Sequence, residues 1–107
     1  MAKFRGGMGE LMRQASRLQR KIEARKEELK EEQFDATSGN DQVKVVVNGA
    51  HDVVSVEINK ELLENEDLEM VQDLVVAAVN AALTKSRESV DAELEKVSGG
   101  LKIPGLT

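Results

Sequence analysis

The chain has 107 residues, enough for one small domain but too few for two, and its only aromatic residues are two phenylalanines. Its core must be aliphatic and modest, so we expect a homo-oligomer that buries more apolar area. There is no cysteine, which excludes disulfides and thiolate metal sites. No apolar run suits a signal peptide or a membrane span, which predicts a cytoplasmic protein with no membrane partner.

The net charge of −5 conceals an uneven distribution along the chain. Residues 1–30 carry nine Lys or Arg against four Glu, whereas the other 77 residues carry six basic and sixteen acidic side chains. A partner meets the charge of a local surface rather than the mean of the chain. The acidic composition therefore does not exclude a polyanionic partner for the N-terminal segment.

The first predicted element is a helix over Met8–Gln33. Apolar residues recur there at alternating steps of three and four, which gives a heptad-like seam with a positions at 8, 15, 22 and 29 and d positions at 11, 18, 25 and 32. Three arginines at i, i+4 and i+7 fall on the face opposite this seam. We call these residues, Arg13, Arg17 and Arg20, the basic ridge.

Three strands are predicted after this helix, because the pattern changes to alternation and β-branched runs. They cover about 33–38, 43–47 and 53–58, with turns at Ser38–Asp41 and Asn48–His51. The sheet has apolar character on both faces and exposed edges, which makes it a candidate for burial against a second copy.

The register of the second hairpin can be predicted from its valines. A two-residue Asn-Gly turn would place Val45 opposite Asp52, whereas a four-residue loop places Val45 opposite Val54 and Val46 opposite Val53. The four-residue loop pairs more valines and is the register we predict. Val46 and Val53 would then point away from the main apolar face.

A second long helix is predicted over about Asp67–Val97, after a short connection. Residues 68–83 are apolar almost all round, which is typical of a buried helix. Beyond them only a narrow stripe remains, consisting of Ser86, Val90, Leu94 and Val97. In an antiparallel pair, the N-terminal half of the first helix would meet the C-terminal half of the second, forming an arm that carries the basic ridge away from the sheet.

The expected architecture is therefore a single α+β domain over 1–107 in the order helix, three-stranded antiparallel sheet, long helix. Residues 1–7 and 99–107 are expected to be flexible tails. The sheet and the apolar half of the second helix are expected to form a homodimer interface, so that each dimer presents two protruding arms.

Catalysis is poorly supported by the residues present. The only imidazole, His51, lies beside the Asn48-Gly49 turn and is predicted to be a turn residue rather than a base. The acids at 61–69 lack the rhythm of a calcium loop, and Gly6–Gly9 lacks the Walker lysine and its preceding strand. We expect no enzyme activity, metal, cofactor or small-molecule substrate.

The basic ridge allows three interpretations. It could contact nucleic acid, or it could dock another acidic partner. It could also be an ordinary charged face that is solvated or paired with acids of the second helix. Arginine suits phosphate oxygens, and the scarcity of aromatics disfavours stacking on single strands. Contact with duplex backbone remains, with low sequence selectivity. The predicted DNA-binding residues are Arg13, Arg17, Arg20 and Lys21, with Lys3, Arg5, Arg25, Lys26, Lys85 and Arg87 as lesser candidates.

Three segments together resemble a known family. They are Gly7-Met8-Gly9-Glu10-Leu11-Met12-Arg13-Gln14-Ala15, the valines of 43–47 followed by Asn48-Gly49-Ala50-His51, and Asp73-Leu74-Val75 with Ala78-Val79-Asn80-Ala81-Ala82. In this order, over nearly the whole chain, they resemble the YbaB/EbfC nucleoid-associated family.

The resemblance implies a small bacterial cytoplasmic homodimer with protruding helices, no enzyme activity, and a role in nucleoid organisation and gene expression through DNA binding. The alternative is a protein-interaction module that docks an acidic partner in recombination or replication.

Overall fold

The computed structural model describes residues 2–99, and the surroundings of side chains from Gly7 onward. It confirms an α+β fold in the predicted order, with one short extra helix where the sequence pattern predicts only a connection. The elements are α1 (Ala2–Lys30), β1 (Gln33–Ser38), β2 (Val43–Asn48), β3 (Val53–Ile58), α2 (Lys60–Asn65) and α3 (Leu68–Ser98).

Helix α1 starts earlier and ends earlier than the pattern predicts. It includes residues 2–7, which the sequence assigns to a tail, whereas Met1 and residues 100–107 lie outside the described part of the chain. Its end is marked by tight turns in which the N–H groups of Glu31 and Glu32 donate to carbonyls three residues earlier, at 3.2 and 3.1 Å. The chain enters β1 directly afterwards.

The other helices have regular side-chain caps. The Asn59 side chain accepts a hydrogen bond from the N–H of Glu61 at the start of α2, and the Asp67 carboxylate accepts one from the N–H of Met70 at the start of α3. Gly99 ends α3 with φ of 66°, in the left-handed conformation that glycine adopts without strain.

The three strands form an antiparallel sheet in the order β1-β2-β3. The predicted register of the second hairpin is wrong, because Val45 lies opposite Val56, not Val54, and Val47 lies opposite Val53. The turn is longer than predicted, since the N–H of Asn48 donates to the Asp52 carbonyl at 3.0 Å, and an irregularity at Val46/Val47 shifts the strands further. This irregularity lets Val53 and Val56, three residues apart, face the same side of the sheet.

The main core lies between the sheet and the first half of α3. Val43, Val45 and Val47 are fully buried on one face of β2, and Ala78 and Ala82 are fully buried on α3. These alanines carry so little side chain that the helix can pack closely on the valines. Helix α3 lies across β1 and β2, and its contact with β3 is slight.

A second, smaller cluster joins the two long helices. Its buried residues are Ile22 and Leu29 of α1 and Leu94 of α3, flanked by Leu18, Val90 and Val97. The C-terminal half of α1 therefore meets the end of α3, and the predicted pairing with the N-terminal half of α1 is wrong. The cause is the short link between α1 and β1, which holds the end of α1 beside the sheet, where α3 has only about twelve residues left to run.

The remainder of α1 extends past this cluster. Residues 7–17 are all exposed, and the apolar side chains of Met8, Leu11 and Met12 are 52%, 61% and 66% exposed. Residues 2–17 would span about 24 Å as a helix, which agrees with a molecule measuring 77 × 18 × 17 Å. We call α1 and residues 87–98 the arm, and the sheet, α2 and residues 68–86 the body.

Candidate nucleic-acid interface

The three arginines of the basic ridge lie along one exposed face of α1. With Met12 and Ser16 they line a shallow surface groove. Arg13 and Arg17 are on the segment that extends past α3, and Arg20 is exposed on the segment that packs against it. Helical spacing places the three guanidinium groups in a row, as the sequence predicts.

Few carboxylates compete for this ridge. Arg13 donates to Glu10 at 3.2 Å, but both side chains are more than half exposed, and such pairs contribute at most about 1 kcal/mol. Arg17 and Arg20 make no ion pair within 4 Å in the described part of the chain, 2–99. The ridge therefore presents largely uncompensated positive charge.

One acid of α3, Glu93, pairs with cations outside the ridge. Glu93 accepts hydrogen bonds from Arg25 and Lys96, both at 3.1 Å, and Arg25 also donates to Glu28 at 2.9 Å. Arg25 occupies a seam position and therefore faces α3, whereas the ridge faces away. The alternative in which acids of α3 pair with Arg17, Arg20 or Lys21 is not what the structure shows, since the ion pair between the two helices is made by Arg25.

These contacts shift the ionisation of both partners. Hydrogen bonds that the Arg25 guanidinium donates to Glu93 and then to Glu28 raise its pKa. Hydrogen bonds from Lys96 and then Arg25 lower the pKa of the Glu93 carboxyl. Arg25 is therefore engaged in holding the arm together, and it would have to exchange these partners to contact a ligand.

The structure places the other predicted residues in different surroundings. Lys21 is exposed and Lys26 is half-buried on α1. Lys85 donates to the Asp35 carbonyl at 3.1 Å and lies 3.7 Å from its carboxylate, beside the sheet. Arg87 is exposed on α3. Lys3 and Arg5 belong to α1, but their side chains lie outside the described part.

A serine and a histidine meet at the base of the arm, an arrangement that the sequence analysis did not predict. His51 Nδ1 lies 3.2 Å from Ser86 Oγ, and the Ser86 hydroxyl donates to the Asn48 carbonyl at 3.0 Å. Its proton is thus used on a carbonyl, so the imidazole nitrogen is the donor and cannot activate the serine as a nucleophile. Ser86 is also fully buried. The sequence signal for this contact was a serine within an apolar stripe.

His51 is a turn residue, as predicted, with φ of 67° in the left-handed region. Gly6–Gly9 lies inside α1 rather than before it, so these glycines do not form a phosphate loop at a helix N-terminus. Across residues 2–99, no three acidic or histidine side chains cluster as metal ligands would. None of the helices in that range has the length and apolarity required to cross a membrane.

Comparison with known proteins assigns the chain to a family. The model of the YbaB/EbfC DNA-binding family matches residues 4–101. A nucleoid-associated protein of Myxococcus xanthus is 49% identical over 96 residues, covering 90% of this chain and 91% of the relative. A nucleoid-associated protein of Acetivibrio thermocellus is 45% identical over 104 residues, covering 96% and 92% of the two chains.

Among solved structures, an uncharacterized protein from Helicobacter pylori has the same fold, with a TM-score of 0.61 and 24% sequence identity. The match covers 73% of this chain and 90% of that protein. The family is named for DNA binding, which confirms the expectation of a non-enzymatic protein. The matches cover nearly the whole chain, and this protein therefore belongs to the YbaB/EbfC DNA-binding family.

Proposed function

We propose that this protein is a nucleoid-associated protein of the bacterial cytoplasm that binds duplex DNA through the basic ridge. The observation that carries the proposal is a row of three exposed arginines on a protruding helix, of which two are free of ion pairs among residues 2–99. The names of the relatives support the same class of function.

Phosphate contact is the mode of binding that the ridge favours. Guanidinium groups match phosphate oxygens in a bidentate geometry, and phosphates carry no direct sequence information. The two phenylalanines are the only aromatic residues, so a stacking platform for bases is not available. Binding should therefore show low sequence selectivity and strong dependence on salt.

A homodimer would present two ridges, and the body has a surface suited to form one. Val53 and Val56 share the core-facing side of the sheet, yet they are 48% and 43% exposed, because α3 covers β1 and β2 instead. Beside them, α2 and α3 expose Leu63, Leu68 and Val76 along an apolar groove. A second copy would cover this half of the sheet and complete the layer.

The direct test replaces the charge of the ridge and measures affinity for random-sequence duplex across a salt series. The triple variant Arg13→Gln, Arg17→Gln, Arg20→Gln should weaken binding by a similar factor on unrelated sequences. If about six phosphates are engaged, the slope of log affinity against log salt should be near −5, and the variant should make it markedly shallower.

A matched control loses the same charge elsewhere. Lys30→Gln, Lys44→Gln and Lys60→Gln together remove three exposed or half-exposed cations outside the ridge, and this variant should keep most of the slope. Unchanged affinity and slope in the ridge variant would exclude these arginines from the DNA contact.

The second candidate function is a module that docks an acidic protein partner. It is favoured by the exposed apolar side chains of Met12, beside the ridge, and Leu11, on the opposite face of α1, which phosphate binding does not require. A shallow salt slope on duplex DNA, together with one tight protein ligand that the ridge variant loses, would select this function.

A further inference from the structure

The turn between β2 and β3 touches both long helices where the arm meets the body. We call residues 48–52 the joint. It begins at the last residue of β2 and leads directly into Val53, the first residue of β3, whose side chain is about half exposed. Its position therefore connects three regions: the end of α1, the middle of α3 and the surface on which we place the second copy.

Contact with α1 is made by the joint's glycine. The N–H of Gly49 donates to the carbonyl of Glu32 at 2.9 Å, just after α1 ends. A Cβ at this position would collide with the carbonyl oxygen of Leu29, which belongs to the last turn of α1. Only glycine allows the backbone of the turn to approach the helix so closely.

Contact with α3 is made through Ser86. Its hydroxyl donates to the carbonyl of Asn48 and lies 3.2 Å from Nδ1 of His51. The Asn48 side chain in turn accepts from the N–H groups of Ala50 and Asp52, both at 3.0 Å, which holds the turn in shape. The joint is thus hydrogen-bonded to α3 and to the residue that leads from α1 into the sheet, and its glycine packs against the last turn of α1.

The contacts of the joint restrict the rotation of one long helix about the other, which the seam alone restricts only weakly. The seam has only three buried residues among those that the structure describes, Ile22, Leu29 and Leu94, so the contact between the two helices is narrow. Helices that meet along one narrow line can roll about it with little loss of buried area. The joint is held on α3 by the hydrogen bonds of Ser86 and abuts the last turn of α1 through Gly49, so it opposes such rolling.

We propose that the joint fixes the orientation of the arm relative to the body and, through Val53, relative to the second copy. Gly49, His51 and Ser86 are then positioning residues for DNA binding, because they set where two ridges lie without touching the ligand. This consequence for DNA rests on the proposed function, whereas the effect on the arm does not.

The test measures the arm directly by pulsed electron paramagnetic resonance. The chain has no cysteine, so Gln14→Cys on the arm and Glu57→Cys on the body give two exposed labelling sites. Labelled chains are diluted into an excess of unlabelled protein. Ser86→Ala and His51→Gly should each at least double the width of the distance distribution, since glycine keeps the positive φ of residue 51 while removing its side chain.

Two further variants separate positioning from general loss of structure. Ser89→Ala removes a half-buried hydroxyl one turn along α3 and should leave the width unchanged. His51→Asn, which tolerates the left-handed conformation and restores a polar side chain, should recover a narrow distribution. Circular dichroism and thermal melting establish that each variant is folded before it is labelled.

Folded Ser86→Ala and His51→Gly variants with unchanged widths would overturn the proposal and leave the seam as the sole determinant of the orientation. On duplex DNA, both variants should bind about three- to tenfold more weakly with an unchanged salt slope, because the charges are retained. Broadened distributions without any loss of affinity would support the joint but contradict its link to DNA. The shallower slope expected of the ridge variant tests the proposed function separately.

Discussion

The body and the arm are stabilised by different means. The body has a continuous core in which three valines of β2 and two alanines of α3 are fully buried. The arm depends on a narrow seam with three buried residues, supported by an ion network around Glu93. Because the seam is narrow, most of the α1 surface is not covered by other elements. The positive charge of the ridge therefore stays exposed on the arm.

The largest effect is expected when a buried side chain of the seam is truncated. Leu29→Ala should cost about 2–5 kcal/mol at a site where the side chain is 1% exposed. We expect hydrogen exchange to show early loss of protection in α1, with the protection of β2 retained. The matched substitution Leu11→Ala, on the same helix at 61% exposure, should change stability by less than about 0.5 kcal/mol. Equal effects of the two substitutions would contradict a seam confined to the C-terminal half of α1.

The next test asks whether the proposed homodimer forms through the body or through the arm. Val56→Asp should raise the dissociation constant of the proposed homodimer by at least about 100-fold, because an unpaired carboxylate would be buried at the proposed interface. Sedimentation equilibrium measures this constant. Leu11→Asp places the same charge on the arm and should leave the dimer intact. Dissociation by Leu11→Asp instead would place the interface on the arm.

The smallest effect concerns the pH dependence of the arm. The pKa of Glu93 is lowered in the fold, so its ion pairs stabilise the arm above the ordinary carboxyl pKa, and this stabilisation is lost as the pH falls through the lowered value. Protection of α1 amides should therefore decrease below about pH 4.5 more steeply than that of β2 amides. Glu93→Gln should weaken this difference between arm and body. An identical pH profile in the variant would show that the network does not hold the arm.

The sequence predicted the local elements well because their signals are local. Arginines at i, i+4 and i+7 must share one face of a helix, and the change of period after it marked the sheet. Prediction was less accurate for features that depend on contacts between residues far apart in the sequence. The hairpin register depended on an irregularity at Val46/Val47 that alternation does not reveal, and the seam depended on how far α3 runs beyond the sheet.

The amino-acid sequence by itself thus determined the order of the elements, the basic ridge and the family resemblance, since these follow from spacing and composition. Only the tertiary structure decided which acids reach which cations. Glu93 meets Arg25 because the seam brings those two faces together, and Arg17 and Arg20 remain free of ion pairs within residues 2–99 because their face points away from α3. Only the fold could show that His51 and Ser86 meet at the base of the arm, because they lie 35 positions apart in the chain.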